Sequence, residues 1–159
     1  RGVAAHPGIT IGCDVLAGFP GETEDEAEGS YRLLEALPIG YLHVFPYSRR
    51  PGTLAASLRQ QLPGPIKEAR VQRLRALDAK KRQAFYRNSV GRIHRVLVER
   101  RQAKSGLLQG FSENYLPILF PGASRWLHQV VAVQCTGVEN GQPIGVITEE
   151  ELEESRQTR

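Results

Sequence analysis

Residues 41–56 read Tyr-Leu-His-Val-Phe-Pro-Tyr-Ser-Arg-Arg-Pro-Gly-Thr-Leu-Ala-Ala. Tyr41 to Pro46 have the texture of a strand, and the Arg49-Arg50-Pro51-Gly52 turn that follows has the composition of an exit loop. Upstream, Ile9 to Ala17 is a short apolar run bounded by glycines, the pattern of a strand buried on both faces of a parallel sheet. Gly18 to Gly21 turn the chain, and Thr23 precedes Glu24, Asp25 and Glu26. The Thr23 hydroxyl can cap a helix starting at Glu24, Glu26 can reach back to complete a capping box, and the acidic first turn complements the helix dipole. Ala27, Tyr31, Leu34 and Leu37 recur at steps of four and three before Pro38 ends the pattern. Strand, helix and strand at this spacing predict a parallel crossover.

Working outward, Ser48 to Pro65 reads as a loop with one helical turn around Leu54 to Leu58. Ile66 to Asn88 predicts a long helix with a buried stripe of Val71, Leu74, Leu77, Ala84 and Phe85. Beyond Gly91 the texture turns all-β. Ile93–Glu99, Leu107–Ser112, Tyr115–Phe120, Gln129–Val138 and Gly145–Thr148 are short strands separated by the turn signals Lys104-Ser105-Gly106, Pro121-Gly122 and Asn140-Gly141. Five strands of this size suit a small barrel of the oligonucleotide-binding type. The expected division is an α/β piece over 1–65, a linking basic helix over 66–90, an all-β barrel over 91–148, and an acidic then polar tail over 149–159 that should fray.

Composition limits the partners. No apolar run approaches the roughly 18 residues of a membrane span, so no membrane is expected. Only Cys13 and Cys135 are present, without metal or disulfide spacing, which predicts reduced thiols and a cytoplasmic location. His6, His43, His94 and His128 fall at no metal-ligand spacing, so no metal site is expected from them. The net charge of +4 is concentrated: residues 67–104 hold thirteen Lys and Arg against Glu68, Asp78 and Glu99. Such a block is the footprint of a phosphate-rich partner or a solvated helix face.

The turn Gly18 to Thr23 lies at the carboxyl end of a strand, where parallel α/β folds bind ligands, although a well-capped turn would look the same. Asp14 to Glu24 (Asp-Val-Leu-Ala-Gly-Phe-Pro-Gly-Glu-Thr-Glu) resembles the fifth strand and following turn of radical S-adenosylmethionine barrels. The resemblance implies that Leu16, Gly18 and Glu22 lie against S-adenosylmethionine. Residues 41–56 resemble the tRNA methylthiotransferases, above all those acting on threonylcarbamoyladenosine, except that Arg49 stands where proline is usual. By that resemblance Tyr47 and Arg50 face the substrate, a ring for a flipped base and a fork for a carboxylate or phosphate; the alternative is that Tyr47 packs the loop and Arg50 caps the sheet. Gly91 to Thr148 is similar to the TRAM domain on Ser112-Glu113-Asn114-Tyr115 and Pro121-Gly122. It departs at Ser124 to His128, where the family often has glycine near position 128. The likeness implies phosphate contacts by Arg92, Arg95, Arg100, Arg101 and Lys104, with base stacking on Phe111, Tyr115 or Trp126.

The resemblance therefore implies a fold of α/β plus all-β type: the C-terminal part of a radical S-adenosylmethionine barrel, a basic helix and a TRAM barrel. It implies a transferase adding a methylthio group to carbon 2 of a modified adenosine beside the anticodon, with tRNA as partner. S-adenosylmethionine and 4Fe-4S clusters would be its cofactors. The chain begins at Arg1, has no methionine and has no cysteine triplet for a cluster, so it is expected to need a missing N-terminal portion and to lack activity alone. Two alternatives are a non-catalytic RNA-binding module on a degenerate barrel and a methylthiotransferase acting on a ribosomal protein.

Overall fold

Two parallel strands and the helix between them open the computed structural model, which describes residues 8–157, with side chains through Glu153. Strand β1 (Gly12–Ala17) pairs in register with β2 (Tyr41–Pro46), Gly12 opposite Tyr41 through Ala17 opposite Pro46. Helix α1 (Glu24–Ala36) joins them, and both halves of the predicted capping box are present. A short turn, α2 (Leu54–Ser57), capped by Thr53, precedes the long helix α3 (Gly64–Asn88). The chain divides into two units, residues 1–82 and 83–159, within α3.

In the first unit Ala17, Leu34, Leu42, Val71, Leu74 and Leu77 form the core, with Cys13, Val15, Tyr31 and Val44 packed against them. Each large apolar side chain buried here contributes roughly 1.5–3 kcal/mol. The period of two along β1 places Cys13, Val15 and Ala17 on this face. The opposite face is bare: Gly12, Asp14 and Leu16 on β1, and His43 and Phe45 on β2, are exposed. This corrects the expectation of a strand buried on both faces. The Asp78 carboxylate on α3 accepts the Leu42 N–H at 2.6 Å and so satisfies an edge amide of β2.

The second unit is a closed barrel of β3 (Ile93–Arg101), β4 (Leu108–Ser112), β5 (Pro117–Phe120), β6 (Val130–Glu139) and β7 (Gln142–Ile147), in the order β3-β4-β5-β7-β6. Val96, Val98, Leu108, Leu116, Ile118, Phe120, Val131, Val133 and Cys135 fill it. Tyr86, at the end of α3, and Trp126 join this cluster. Gly110 is required where β4 crosses β3, because a methyl group there would run into the Leu97 carbonyl. Within the tail, Glu149–Gln157 form α4, and the Glu151 carboxylate accepts the Ala132 N–H at 2.9 Å. The isolated strand amide supplies a partner that composition alone does not reveal. Arg1, His6, Thr158 and Arg159 lie outside the described residues.

Candidate ligand turn and RNA interface

The turn after β1 is built on hydrogen bonds to distant residues. Gly18 has φ +76°, a conformation that favours glycine. Its N–H donates to Glu22 Oε2 at 2.9 Å, and the Gly21 N–H donates to the Gln60 carbonyl at 2.9 Å. Arg70 on α3 donates from Nη1 to Glu22 Oε2 at 2.6 Å and to the Glu22 carbonyl at 3.0 Å, and from Nη2 to Glu24 Oε2 at 3.1 Å. Burial alone would lower the Arg70 pKa, but the hydrogen bonds to Glu22 and Glu24 outweigh it and hold the guanidinium above its ordinary value. Sequence reasoning missed Arg70, because nothing local ties it to a glutamate 48 residues earlier.

Leu16 is 50% exposed on the bare sheet face, opposite Phe45 in register and 51% exposed. Together they form an apolar shelf beside the turn. Tyr47 is only 8% exposed. Its N–H donates to the Ala17 carbonyl at 2.8 Å, and its ring meets Phe19 edge-on at 5.5 Å. The Tyr47 hydroxyl is buried with no partner among the described residues, and Lys67 Nζ lies 6.0 Å from the ring centre. Arg50 is exposed, while its neighbour Arg49 donates from Nε to the Ala56 carbonyl at 2.9 Å. The turn therefore brings Leu16, Gly18, Glu22 and Tyr47 to one end of the sheet, with Arg50 three residues on.

A flat apolar shelf beside backbone at a strand end, with an orphaned hydroxyl at the same end, fits an adenine-bearing ligand. A four-iron cluster does not fit this chain. It needs three closely spaced thiolates, whereas Cys13 and Cys135 belong to different units, and among the described residues no group of three His, Cys, Asp or Glu side chains converges.

On the barrel, alternation along β3 turns Arg95 and Leu97 outward. Leu97 stands between Phe111 on β4 and Val130 on β6, an exposed cross-strand row. Tyr115, 68% exposed, lies beside it in the β4–β5 turn. Arg95, Leu97, Phe111, Glu113, Tyr115 and Val130 line a groove of about 690 Å³. The turn is fixed by the Tyr115 N–H donating to the Ser112 carbonyl at 2.9 Å and the Leu116 N–H donating to Ser112 Oγ at 3.0 Å. Leu97 and Val130 were not among the expected contacts, though the alternation of Ile93, Arg95 and Leu97 with buried Val96 and Val98 carried the signal.

The cations divide into two groups. Arg92, Arg95, Arg100 and Lys104 are exposed, with Arg95 4.0 Å from Glu113 and Arg100 Nε donating to Gln109 at 3.1 Å. Both Arg95 and Glu113 are largely solvated, so that pair is weak. Arg101 instead ties two loops together, donating to the Gly106 and Gly122 carbonyls and to Ser124 Oγ. Trp126 is buried in the barrel core, which makes it a loop anchor, and Arg125 lies over its ring at 5.0 Å.

A small closed barrel with an exposed apolar and aromatic face among cations has the features of an oligonucleotide-binding module. Residues 87–145 match the family model described as "TRAM domain", so the chain carries a TRAM domain. It is 47% identical over 96 residues to "Threonylcarbamoyladenosine tRNA methylthiotransferase MtaB" of Aquifex aeolicus, covering 60% of this chain and 23% of that protein. It is 40% identical over 136 residues to "tRNA-2-methylthio-N(6)-dimethylallyladenosine synthase" of Xanthomonas oryzae (84% and 28%). It is 33% identical over 159 residues to the MtaB protein of Bacillus subtilis (96% and 35%). The relatives, matched over 60–96% of this chain, make it similar to tRNA methylthiotransferases over most of its length. The chain spans about a quarter to a third of the length of these relatives.

Proposed function

We propose that this chain is the substrate-side and RNA-gripping part of a cytoplasmic tRNA methylthiotransferase. The intact enzyme adds a methylthio group to carbon 2 of threonylcarbamoyladenosine beside the anticodon. The observation that carries this reading is the conjunction, in one chain, of a TRAM barrel with a strand, helix and strand unit similar to the same enzymes. The unit at 8–65 is read as part of a radical S-adenosylmethionine barrel, with α3 running on to the RNA-binding domain. Leu16 and the Gly18 backbone would hold the adenine end of S-adenosylmethionine, which supplies radical and methyl-transfer chemistry when bound. The 4Fe-4S clusters would be held by residues outside this chain.

Tyr47 and Arg50 follow the strand end where the substrate base would enter. The exposed Arg50 fork suits the threonyl carboxylate, a charge that dimethylallyladenosine lacks. The barrel would take tRNA through Phe111 and Tyr115, with Arg92, Arg95, Arg100 and Lys104 meeting phosphates. Arg101 would contribute by holding the loops that frame this surface. A second reading, a dimethylallyladenosine substrate, is favoured by the Xanthomonas relative, which aligns over 84% of the chain.

The test gives the intact reconstituted enzyme tRNA bearing either modified adenosine and weighs the nucleoside products. A gain of a methylthio group on threonylcarbamoyladenosine alone is expected; modification of dimethylallyladenosine alone would establish the second reading. Arg50→Ala should abolish methylthiolation while leaving S-adenosylmethionine cleavage nearly intact. Equal loss of both would place Arg50 at the cofactor.

A further inference from the structure

Three polar groups of the β1–α1 turn converge on one side chain from far along the chain. The Arg70 guanidinium takes the Glu22 carboxylate, the Glu22 carbonyl and the Glu24 carboxylate, and the same Glu22 oxygen accepts the Gly18 N–H. The Arg70 side chain is 11% exposed and that of Glu22 17%. Arg70 Nε is buried without a partner among the described residues. A donor left unsatisfied is unfavourable, so the demands of the two terminal nitrogens fix where this side chain lies.

This arrangement changes the meaning of Glu22. Its Oε2 is committed twice over, to Arg70 and to the Gly18 N–H, and withdrawing it toward a ligand would take one of three partners from a largely buried guanidinium beside a cleft lined by Leu16, Ala27 and Tyr31. Breaking a buried charge pair from one side is strongly unfavourable. The Gly18 N–H, the donor nearest the strand end, is also already engaged. Glu22 is therefore a strut between α3 and the Gly18 backbone.

We propose that Arg70 is a positioning residue, which through Glu22 sets the Leu16–Gly18 backbone in the form that S-adenosylmethionine requires. This rests on the reading above that the cofactor meets this strand end. Arginine is needed because a planar fork engages both glutamates at once, whereas a lysine ammonium is a single point on a flexible stem.

The experiment compares Arg70→Met, Arg70→Lys and Glu22→Gln in the intact enzyme, measuring the Kd for S-adenosylmethionine, the Kd for tRNA and amide exchange of residues 16–22 without cofactor. Arg70→Met should weaken S-adenosylmethionine at least tenfold, speed exchange in that segment and leave tRNA affinity within twofold. Arg70→Lys should recover only part of this. Arg70→Met combined with Glu22→Gln should be no worse than the more severe single change, because both cut the same strut. Unchanged cofactor affinity and exchange in Arg70→Met, with tight binding by the unsubstituted enzyme, would overturn this inference alone. Equal loss of cofactor and tRNA binding in all three variants would overturn it in favour of a general role in stability. No cofactor binding by the unsubstituted enzyme would overturn both the inference and the reading beneath it.

Discussion

Tyr115 stands at φ +60° while 68% of its surface faces solvent. The left-handed region costs an L-residue roughly 1–2 kcal/mol, and little burial offsets it here. The turn around Ser112 holds the ring out beside Phe111 and Leu97, which is where a base would stack. Tyr115→Asn should therefore raise the stability of the barrel by about 1 kcal/mol, since asparagine tolerates this conformation, as urea unfolding would register. The same change should weaken binding of a single-stranded anticodon-loop RNA by about 1–3 kcal/mol, the worth of one base–aromatic stack. Loss of stability together with unchanged RNA affinity would make Tyr115 a packing residue. The sequence placed Tyr115 in a strand, because an aromatic before Leu116 and Ile118 fits that pattern and nothing in its identity signals a left-handed backbone. His128 is similar. It has φ +63° at the position where the resemblance led one to expect glycine, a left-handed backbone carried by a less suitable residue.

At the scale of elements, the capping box of α1 was legible because its signals are local. Thr23→Ala should cost about 1 kcal/mol, measured by thermal or urea unfolding. The long helix was legible in extent, from Ile66 against an observed start at Gly64, but not in its burial. Ala84, assigned to the buried stripe, is exposed, and Tyr86 is buried in its place. A single-period reading assumes one partner along a whole helix, whereas α3 serves the core of the first unit through Leu77 and the barrel from Phe85 onward. On β3, burial pushes the His94 pKa below its ordinary value of about 6.5, with Arg92 adding to the effect and the Ser89 backbone opposing it. The unfolded chain then binds the proton more readily, so barrel stability should fall as pH drops below about 6.5 and level off below the folded-state pKa. His94→Asn should flatten that part of the profile; an unchanged profile would remove His94 as its source.

Across the whole molecule, the thirteen-to-three charge block of residues 67–104 was plain in the sequence, but the distinction between free and committed cations was not. Arg70, Arg82 and Arg101 are bound to protein groups, while Arg92, Arg95 and Lys104 are exposed. Replacing those last three by glutamine should reduce the slope of log affinity for RNA against log salt by about 2, at roughly 0.7 per phosphate contact. Arg101→Gln should instead loosen the loops held by the Gly106 and Gly122 carbonyls. The barrel was readable strand by strand because its turns carry Gly, Asn and Pro, whereas its closure between β3 and β6 joins residues far apart in sequence. The bare face of β1 and β2 left only a faint trace in the sequence, Asp14 and His43 alternating with apolar neighbours, which Leu16 and Phe45 on the same face mask. The most direct test of the central claim is nucleoside mass spectrometry of tRNA from source cells in which the gene encoding this chain has been deleted. Loss of 2-methylthio-threonylcarbamoyladenosine, with its unthiolated precursor accumulating and the intact gene restoring the product, is the predicted result. A tRNA nucleoside profile unchanged by the deletion would contradict it.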